Sequence, residues 1–439
     1  FGLWLIMPRS PLQDSLLQPL SSMWISALHF FQAIVHPVAP LAVSLAARWV
    51  MGQEVALLAV GLVGLGAVCL LAHCSRRRGL FVLTLALALL AALPAVLFLE
   101  GAYVRGSPRL YYLTAVGTSL LWGTAGLGMV RLVQNRSRWL KYGTYLALVV
   151  LVLALLRFDV AFILCRQRFY LRVTELMHMI RDAATAAPPD KELVYINLPL
   201  YFSSAGEEQE TCPNPFPYGP SGALAFPQYA AVSDFIAVHG GPKRPAMGVT
   251  AAAFAPGWET YGQEVTLEQV RRFLGEDYVY LCDLASWRLF PLSGHWETGL
   301  EPEGVSAGWV TFGEGIALAN YEVRDEDGSL QVILDWRCLQ APLQPYTVFV
   351  HLYAPEGGPP VAQDDGPPVH NYVPTNFWQA GDRIRDEKGV LIPADLPAGE
   401  YTLTVGLYDP LTGERLPAVG YDGQRYFNDA VPLYQFALP

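Results

Sequence analysis

The chain changes solvent near residue 168: apolar runs precede that point, and an acidic stretch rich in proline and glycine follows it. Residues 1–168 carry 14 Lys and Arg against 4 Asp and Glu, and the remainder carries 15 against 35, so the two parts hold charges of +10 and −20. A hydrocarbon core of ~30 Å requires about 20 apolar residues to be crossed as a helix. Runs of that kind occur at 55–72, 80–99, 110–130 and 142–156. The pattern predicts a multidomain membrane protein, with a transmembrane helical bundle over 1–168 and spans near 55–73, 80–99, 110–130 and 142–165. Residues 23–47 contain His29, His36, Pro37 and Pro40, and read either as a further span or as a kinked helix in the outer leaflet. Arg157 and Asp159 interrupt the last span and are expected at the headgroup level, with a buried relay as the alternative. Gly61, Gly64 and Gly66 lie inside an apolar run and read as packing glycines.

Loop charge sets the orientation, because Lys and Arg resist translocation more than Asp and Glu do. Ser75-Arg76-Arg77-Arg78 and the basic stretch 131–141 belong inside, which puts 100–109 and everything after the last span outside. The expected location is therefore the cytoplasmic membrane, with extracytoplasmic domains at the carboxyl end and membrane lipid as a partner. No nucleic-acid partner is expected. The opening Phe-Gly-Leu-Trp-Leu-Ile-Met has no charged region ahead of it and reads as the cut end of another span, with functional residues expected upstream.

Residues 169–300 predict a small α/β domain. Phe169, Val173, Leu176, Met177 and Ile180 recur at helical spacing. Residues 192–197 and 278–282 read as buried strands, 230–238 as a helix, and Thr266-Leu-Glu-Gln269 has the spacing of a capping box with Gly275 as the stop. Residues 202–226 form a long loop holding Pro213, Pro215, Pro217 and Pro220, read as a mobile insertion or as a lid over the membrane mouth. Cys212 and Cys282 share a compartment that permits a disulfide, though no spacing demands one. No glycine-rich phosphate loop, H-E-x-x-H, G-x-S-x-G or C-x-x-C occurs, and no cofactor or metal is identified.

From 301 to 439 the period becomes two. Residues 401–408 alternate Tyr, Leu, Val and Leu with small polar residues, 346–353 read as a second strand, and turn signals follow at Pro355-Glu-Gly-Gly358 and Asp409-Pro-Leu-Thr-Gly413. Short strands bounded in this way predict an antiparallel β-sandwich. Trp336, Trp378, Tyr372, His351 and the Asp364-Asp365 pair are candidates for a sugar platform, since aromatic faces stack on pyranose rings and carboxylates accept their hydroxyls. The alternative makes the tryptophans core and the aspartates a turn. Adjacent carboxylates on extended backbone point apart, which argues against a glycoside hydrolase.

The loop Glu100-Gly-Ala-Tyr-Val-Arg105-Gly-Ser-Pro-Arg109-Leu-Tyr111-Tyr112-Leu-Thr-Ala-Val-Gly117, preceded by an apolar run ending in Leu93-Pro94, resembles a passage of polytopic GT-C glycosyltransferases. That passage runs Leu-Leu-Pro, short loop, Arg-Tyr-Leu-Tyr-Leu-Pro-Ser-Val-Gly. The resemblance covers about residues 50–165. Here Leu110 and Tyr111 exchange the first aromatic and leucine, and Thr114-Ala115 replaces Pro-Ser. It implies transfer of a sugar from a polyprenyl-phosphate carrier to a glycan or protein acceptor at the outer face. Arg109, helped by Arg105, Tyr111 and Tyr112, would then hold the donor phosphate, because a guanidinium binds phosphate oxygens bidentately. The alternative is an interfacial anchor. The family's catalytic acid lies in a first outer loop with no counterpart here, so the catalytic residue is unassigned; Glu100 is the outer-loop carboxylate closest in sequence to Arg109.

The carboxyl-terminal run through Asp335-Trp336, His351, Asp364-Asp-Gly-Pro-Pro368, Trp378-Gln-Ala-Gly381, Leu396-Pro-Ala-Gly-Glu-Tyr401 and Gly413-Glu-Arg-Leu-Pro417 resembles a β-sandwich module of membrane glycosyltransferase-like proteins of Chloroflexi-type bacteria. It implies architecture rather than chemistry. Two functions remain in view: a membrane glycosyltransferase, and a non-enzymatic membrane-anchored protein binding glycan or protein. A transporter is set aside, because the spans lack paired charges and broken helices in matching halves.

Overall fold

The computed structural model describes residues 20–36, 53–74, 78–99, 104, 112–203, 222–226, 231–301, 303–326 and 328–438. The chain divides into two compact units, Phe1–Thr174 with Tyr201–Ala225, and Glu175–Leu200 with Phe226–Pro439.

The first unit is helical, with α1 (Leu20–Ile34), α2 (Gln53–Cys74), α3 (Arg78–Phe98), α4 (Tyr112–Val133) and the start of α5 (Arg138–Ala186). Three stretches, Gly79–Phe98, Thr114–Val133 and Arg138–Ala161, are long and apolar enough to cross a membrane; Met23–Ile34 and Val55–Leu71 are shorter apolar helices. Large apolar side chains such as Leu83, Leu90, Val149, Leu153 and Leu156 are exposed on these helices.

Helix packing in this unit uses missing side chains. A Cβ on Gly117 would lie 2.7 Å from the Ala88 backbone nitrogen, and one on Gly128 would lie 2.4 Å from the Leu71 carbonyl oxygen. Glycine at such crossings lets backbones approach closely. Gly61 packs in the same way on the Phe31 ring, whereas Gly66 faces open space and is not a packing glycine. Asp159 does not stand alone: it lies 3.2 Å from His36 Nε2. A short antiparallel ribbon, β2 (Tyr201–Ser203) and β3 (Gly222–Leu224), completes this unit, and residues 204–221 between its strands, with the expected lid and Cys212, lie outside the described residues.

The second unit begins with a five-stranded sheet ordered β5-β4-β1-β6-β7, from β1 (Leu193–Ile196), β4 (Ala246–Thr250), β5 (Gln263–Glu264), β6 (Tyr278–Asp283) and β7 (Arg288–Pro291). The first four run parallel and β7 is antiparallel. Every residue of β1 is buried, as a parallel strand covered on both faces requires. On one face Tyr195 and Tyr280 stack at 5.5 Å, and their hydroxyls donate to the Ile180 and Ala183 carbonyls of α5. Desolvation there pushes the Tyr280 phenol up to about 12.

Helix α6 (Val232–Val238) follows β3 in the chain, and α7 (Leu267–Glu276) precedes β6. The capping box forms as spaced: the Thr266 hydroxyl accepts from the Gln269 amide at 3.3 Å, and the Gln269 side chain accepts from the Thr266 amide at 2.8 Å. Gly275 does not stop this helix. It ends one residue later, where Asp277 turns to extended backbone and the chain enters β6.

The remaining strands are antiparallel. Six form one sheet, β16 (Ala418–Gly420), β9 (Val310–Phe312), β10 (Ile316–Glu326), β11 (Ser329–Cys338), β14 (Arg383–Leu391) and β8 (Trp296–Glu297), in that order. Four form the other, β13 (Ala362–Gly366), β12 (Thr347–Tyr353), β15 (Gly399–Tyr408) and β17 (Val431–Leu438). Period two decides what is buried: Tyr401, Leu403, Val405 and Leu407 face the core from β15, as Val348, Val350 and Leu352 do from β12. Leu330, Val332, Leu334 and Trp336 of β11 belong to the same core, and so do Val194, Ile196, Val270, Leu274, Val279 and Leu281. The stretches 169–300 and 301–439, read separately from the sequence, therefore share one apolar interior. Cys282 and Cys338 are free thiols within it, both pushed up to about 12 by burial.

Candidate binding site on the outer face of the sandwich

The face of β12 that turns away from the core carries Phe349, His351 and Tyr353, because successive side chains alternate across a strand. Register supplies their neighbours. Phe349 stands opposite Asp365 of β13 and Gly406 of β15, His351 opposite Thr404, and Tyr353 opposite Thr402. Gly406 has to be glycine: a Cβ there would sit 2.3 Å from Phe349 Cζ.

A directed chain of hydrogen bonds runs along this face. His351 Nε2 lies 3.0 Å from Asp365 Oδ1, and His351 Nδ1 lies 3.1 Å from the Tyr353 hydroxyl. One tautomer satisfies both: Nε2–H donates to the carboxylate, and Nδ1 accepts from the phenol. The Tyr353 oxygen accepts in turn from Arg415 Nη2 at 3.2 Å, while Arg415 Nη1 donates to the Asn428 carbonyl at 3.0 Å and the guanidinium lies 4.3 Å from the Phe349 ring centroid. The chain fixes a phenol and a cation side by side at the edge of a groove of about 470 Å³, whose lining includes Thr402, Thr404, Tyr426 and Phe427.

The other residues proposed for a sugar platform go elsewhere. Trp378 is 1% exposed and donates its indole N–H to the Val373 carbonyl, so it offers no face to a ring and belongs to the core, as Trp336 does. The residues that follow it, Gly381 and Asp382, tie this segment down onto β11 and α7. Tyr372 contacts Asp283 and Arg288 through its hydroxyl and packs on Phe290; burial, then the bond to Asp283, raises its phenol above the ordinary range. Asp364 and Asp365 lie in strand β13 and not in a turn; Asp364 accepts the Gly389 amide of β14 at 2.8 Å, and only its neighbour Asp365 joins His351. Arg105, Arg109 and Tyr111 lie outside the described residues, and Tyr112 is the first residue of α4.

A second cluster underlies the loop after β13. Val369, His370 and Asn371 take φ of 56°, 52° and 72° in succession, a left-handed run that is costly for a β-branched residue. Two inward-pointing side chains of β14 hold it: Asp386 accepts the Val369 amide at 2.7 Å, and Lys388 donates to the Gly366 carbonyl at 3.2 Å. Desolvation raises the fully buried Asp386 carboxyl to about 6, partly countered by Lys388. A folded value above the unfolded one of about 3.9 means the native state binds the proton more tightly, so this contribution is full below pH ~4 and is lost as pH rises through 6. His295 and His370 act in the opposite sense. Burial lowers both, so their contribution is lost as pH falls below ~6.5, where the unfolded imidazoles charge first. The Asp386→Asn variant removes only the carboxyl. The stability difference between wild type and variant is expected to move by roughly 2 kcal/mol in favour of the wild type between pH 7 and pH 4. Denaturation followed by tryptophan fluorescence measures it, and parallel pH profiles would refute the assignment.

Sequence reasoning missed Arg415, Tyr353, Tyr426 and Phe427 as a group. The period-two pattern of 346–353 already puts Phe349, His351 and Tyr353 on one face, but Arg415 reaches them through a turn whose fold is not local. No protein-family model matches the chain, and no curated protein matches it in sequence.

Proposed function

We propose that this chain is part of an integral membrane glycosyltransferase of the GT-C type, moving a sugar from a polyprenyl-phosphate carrier to an acceptor at the outer face, with its α/β and sandwich parts extracytoplasmic. The observation that supports this reading is the sequence position of Arg109. The residues between Phe98 and Tyr112 join the ends of α3 and α4, two helices apolar enough to cross a membrane, and Arg109 stands three residues before α4. A cation carried in the sequence between two such helices suits the headgroup phosphate of a lipid-linked sugar.

Arg109→Ala is expected to abolish sugar transfer from a radiolabelled polyprenyl-phosphate donor in membranes that contain the protein, with the amount of protein in those membranes unchanged. Transfer retained at the wild-type rate would sink the assignment. A second reading, a membrane-anchored protein that holds glycan without transferring it, is favoured by the groove beside Tyr353 and Arg415. Glycan binding by a protein that shows no transfer with any donor would select it.

A further inference from the structure

The groove on the outer face of the four-stranded sheet has a composition that bears on its ligand. Thr402 and Thr404 alternate outward from β15 onto its floor, and the Thr404 hydroxyl, in a residue only 8% exposed, has no hydrogen-bond partner among the described residues. The turn at 426–430 forms one wall. Asn428 and Asp429 there both take φ of 52°, and the turn they make leaves Phe427 86% exposed at the groove. A strained turn that pushes a large apolar ring into water works against folding, and such features collect at ligand sites.

The charge on this wall is specific. Asp429 is bound bidentately by Arg425 at 2.6 and 2.7 Å. Arg415 has no ion-pair partner within 4.0 Å among the described residues; its hydrogen bonds go to the Asn428 carbonyl and the Tyr353 phenol, both neutral acceptors. Arg415 and Arg425 against Asp429 leave one positive charge here, in a part of the chain whose overall charge is −20. The guanidinium carbon lies 4.3 Å from the Phe349 ring centroid, and with one bond each from Nη1 and Nη2 part of its fork of five N–H donors is left for a ligand.

We propose that this groove binds a saccharide carrying a carboxylate, a uronic-acid residue, with the sugar ring against Phe427 and Tyr426 and its carboxylate on Arg415. Aromatic rings with few, well-placed polar groups suit a pyranose face, the volume falls in the range of small-ligand sites, and the fork of arginine matches the two oxygens of a carboxylate. The His351 and Asp365 side chains orient Tyr353, and through it Arg415, without touching the ligand. The site stands apart from the transferase reading, because it uses no residue of the membrane helices.

The test uses the whole chain in detergent or nanodiscs, titrated calorimetrically with an oligoglucuronate and with the same oligosaccharide after its carboxyl groups are reduced to alcohols. The acid form is expected to bind at least about ten-fold more tightly than the neutral form, and Arg415→Gln to remove that difference. Phe427→Ala is expected to weaken the acid form by about ten-fold at an unchanged melting temperature, since the exposed ring contributes nothing to the core. Equal binding of acid and neutral forms, no binding of either, or an unaltered affinity in Phe427→Ala would overturn the proposal. So would inorganic phosphate competing as well as the acid oligosaccharide, which would leave a plain anion site.

Discussion

Replacing Arg271 by alanine is expected to lower the stability of the second unit by about 3–5 kcal/mol, because it leaves a buried carboxylate without its counter-charge. Arg271 on α7 is 7% exposed and Asp382, just ahead of β14, is fully buried. The pair is bidentate, Nη1 to Oδ2 at 2.6 Å and Nη2 to Oδ1 at 2.7 Å. Asp382 Oδ2 also accepts the Trp296 indole N–H at 3.1 Å and the Gln379 amide at 2.9 Å, and Arg271 donates to the Phe377 carbonyl at 3.1 Å. The guanidinium lies over the Trp296 ring as well. A fully satisfied ion pair of this kind joins the α/β part to the sandwich.

The loss corresponds to a fall in melting temperature on the order of 10 °C for a unit of this size. The double change Arg271→Met with Asp382→Leu is expected to cost less than Arg271→Ala alone, since it removes both charges and keeps apolar volume. Chemical denaturation of the three proteins decides the matter. A cost below about 1 kcal/mol for Arg271→Ala would place the pair among weak surface bridges instead.

Trp378→Ala is expected to cost a similar amount, about 3–5 kcal/mol, from the cavity left by a large core side chain. The indole is one of the largest fully buried side chains of the protein, and its N–H satisfies the Val373 carbonyl. Trp378→Phe keeps part of the packing and leaves that carbonyl without its donor, so a smaller loss of about 1–3 kcal/mol is expected. Neither change touches the groove by Tyr353, and folded Trp378→Phe is expected to bind any saccharide ligand as the wild type does. Lost sugar binding at unchanged stability would restore Trp378 to the sugar platform.

Much of the local structure was legible in the residues. Thr266 and Gln269 cap α7 because a hydroxyl and an amide three residues apart reach each other's backbone within one turn. The inward set Tyr401, Leu403, Val405 and Leu407 follows from a side-chain period of two, which any strand imposes. The candidate site was legible in half: His351 and Asp365 come together, and Trp378, Tyr372 and Asp364 do not join them. Exposure of a tryptophan after a loop depends on whether that loop is tied down, and the tie here is the Asp382 carboxylate and the Gly381 amide, which donates to the Cys338 carbonyl.

The sequence by itself determined the division between long apolar helices and an acidic, strand-rich part, since unbroken apolar runs of about 20 residues and alternating short runs favour different elements. It also determined which face of each strand is apolar. The tertiary structure alone decided that the α/β part and the sandwich bury a common core, that Arg271 meets Asp382 across 111 residues, and that Arg415 lies over Phe349. Periodicity acts within a few residues of the chain. Contacts between distant residues arise only when burial of apolar surface closes the loops between them, and no local pattern encodes which ones close.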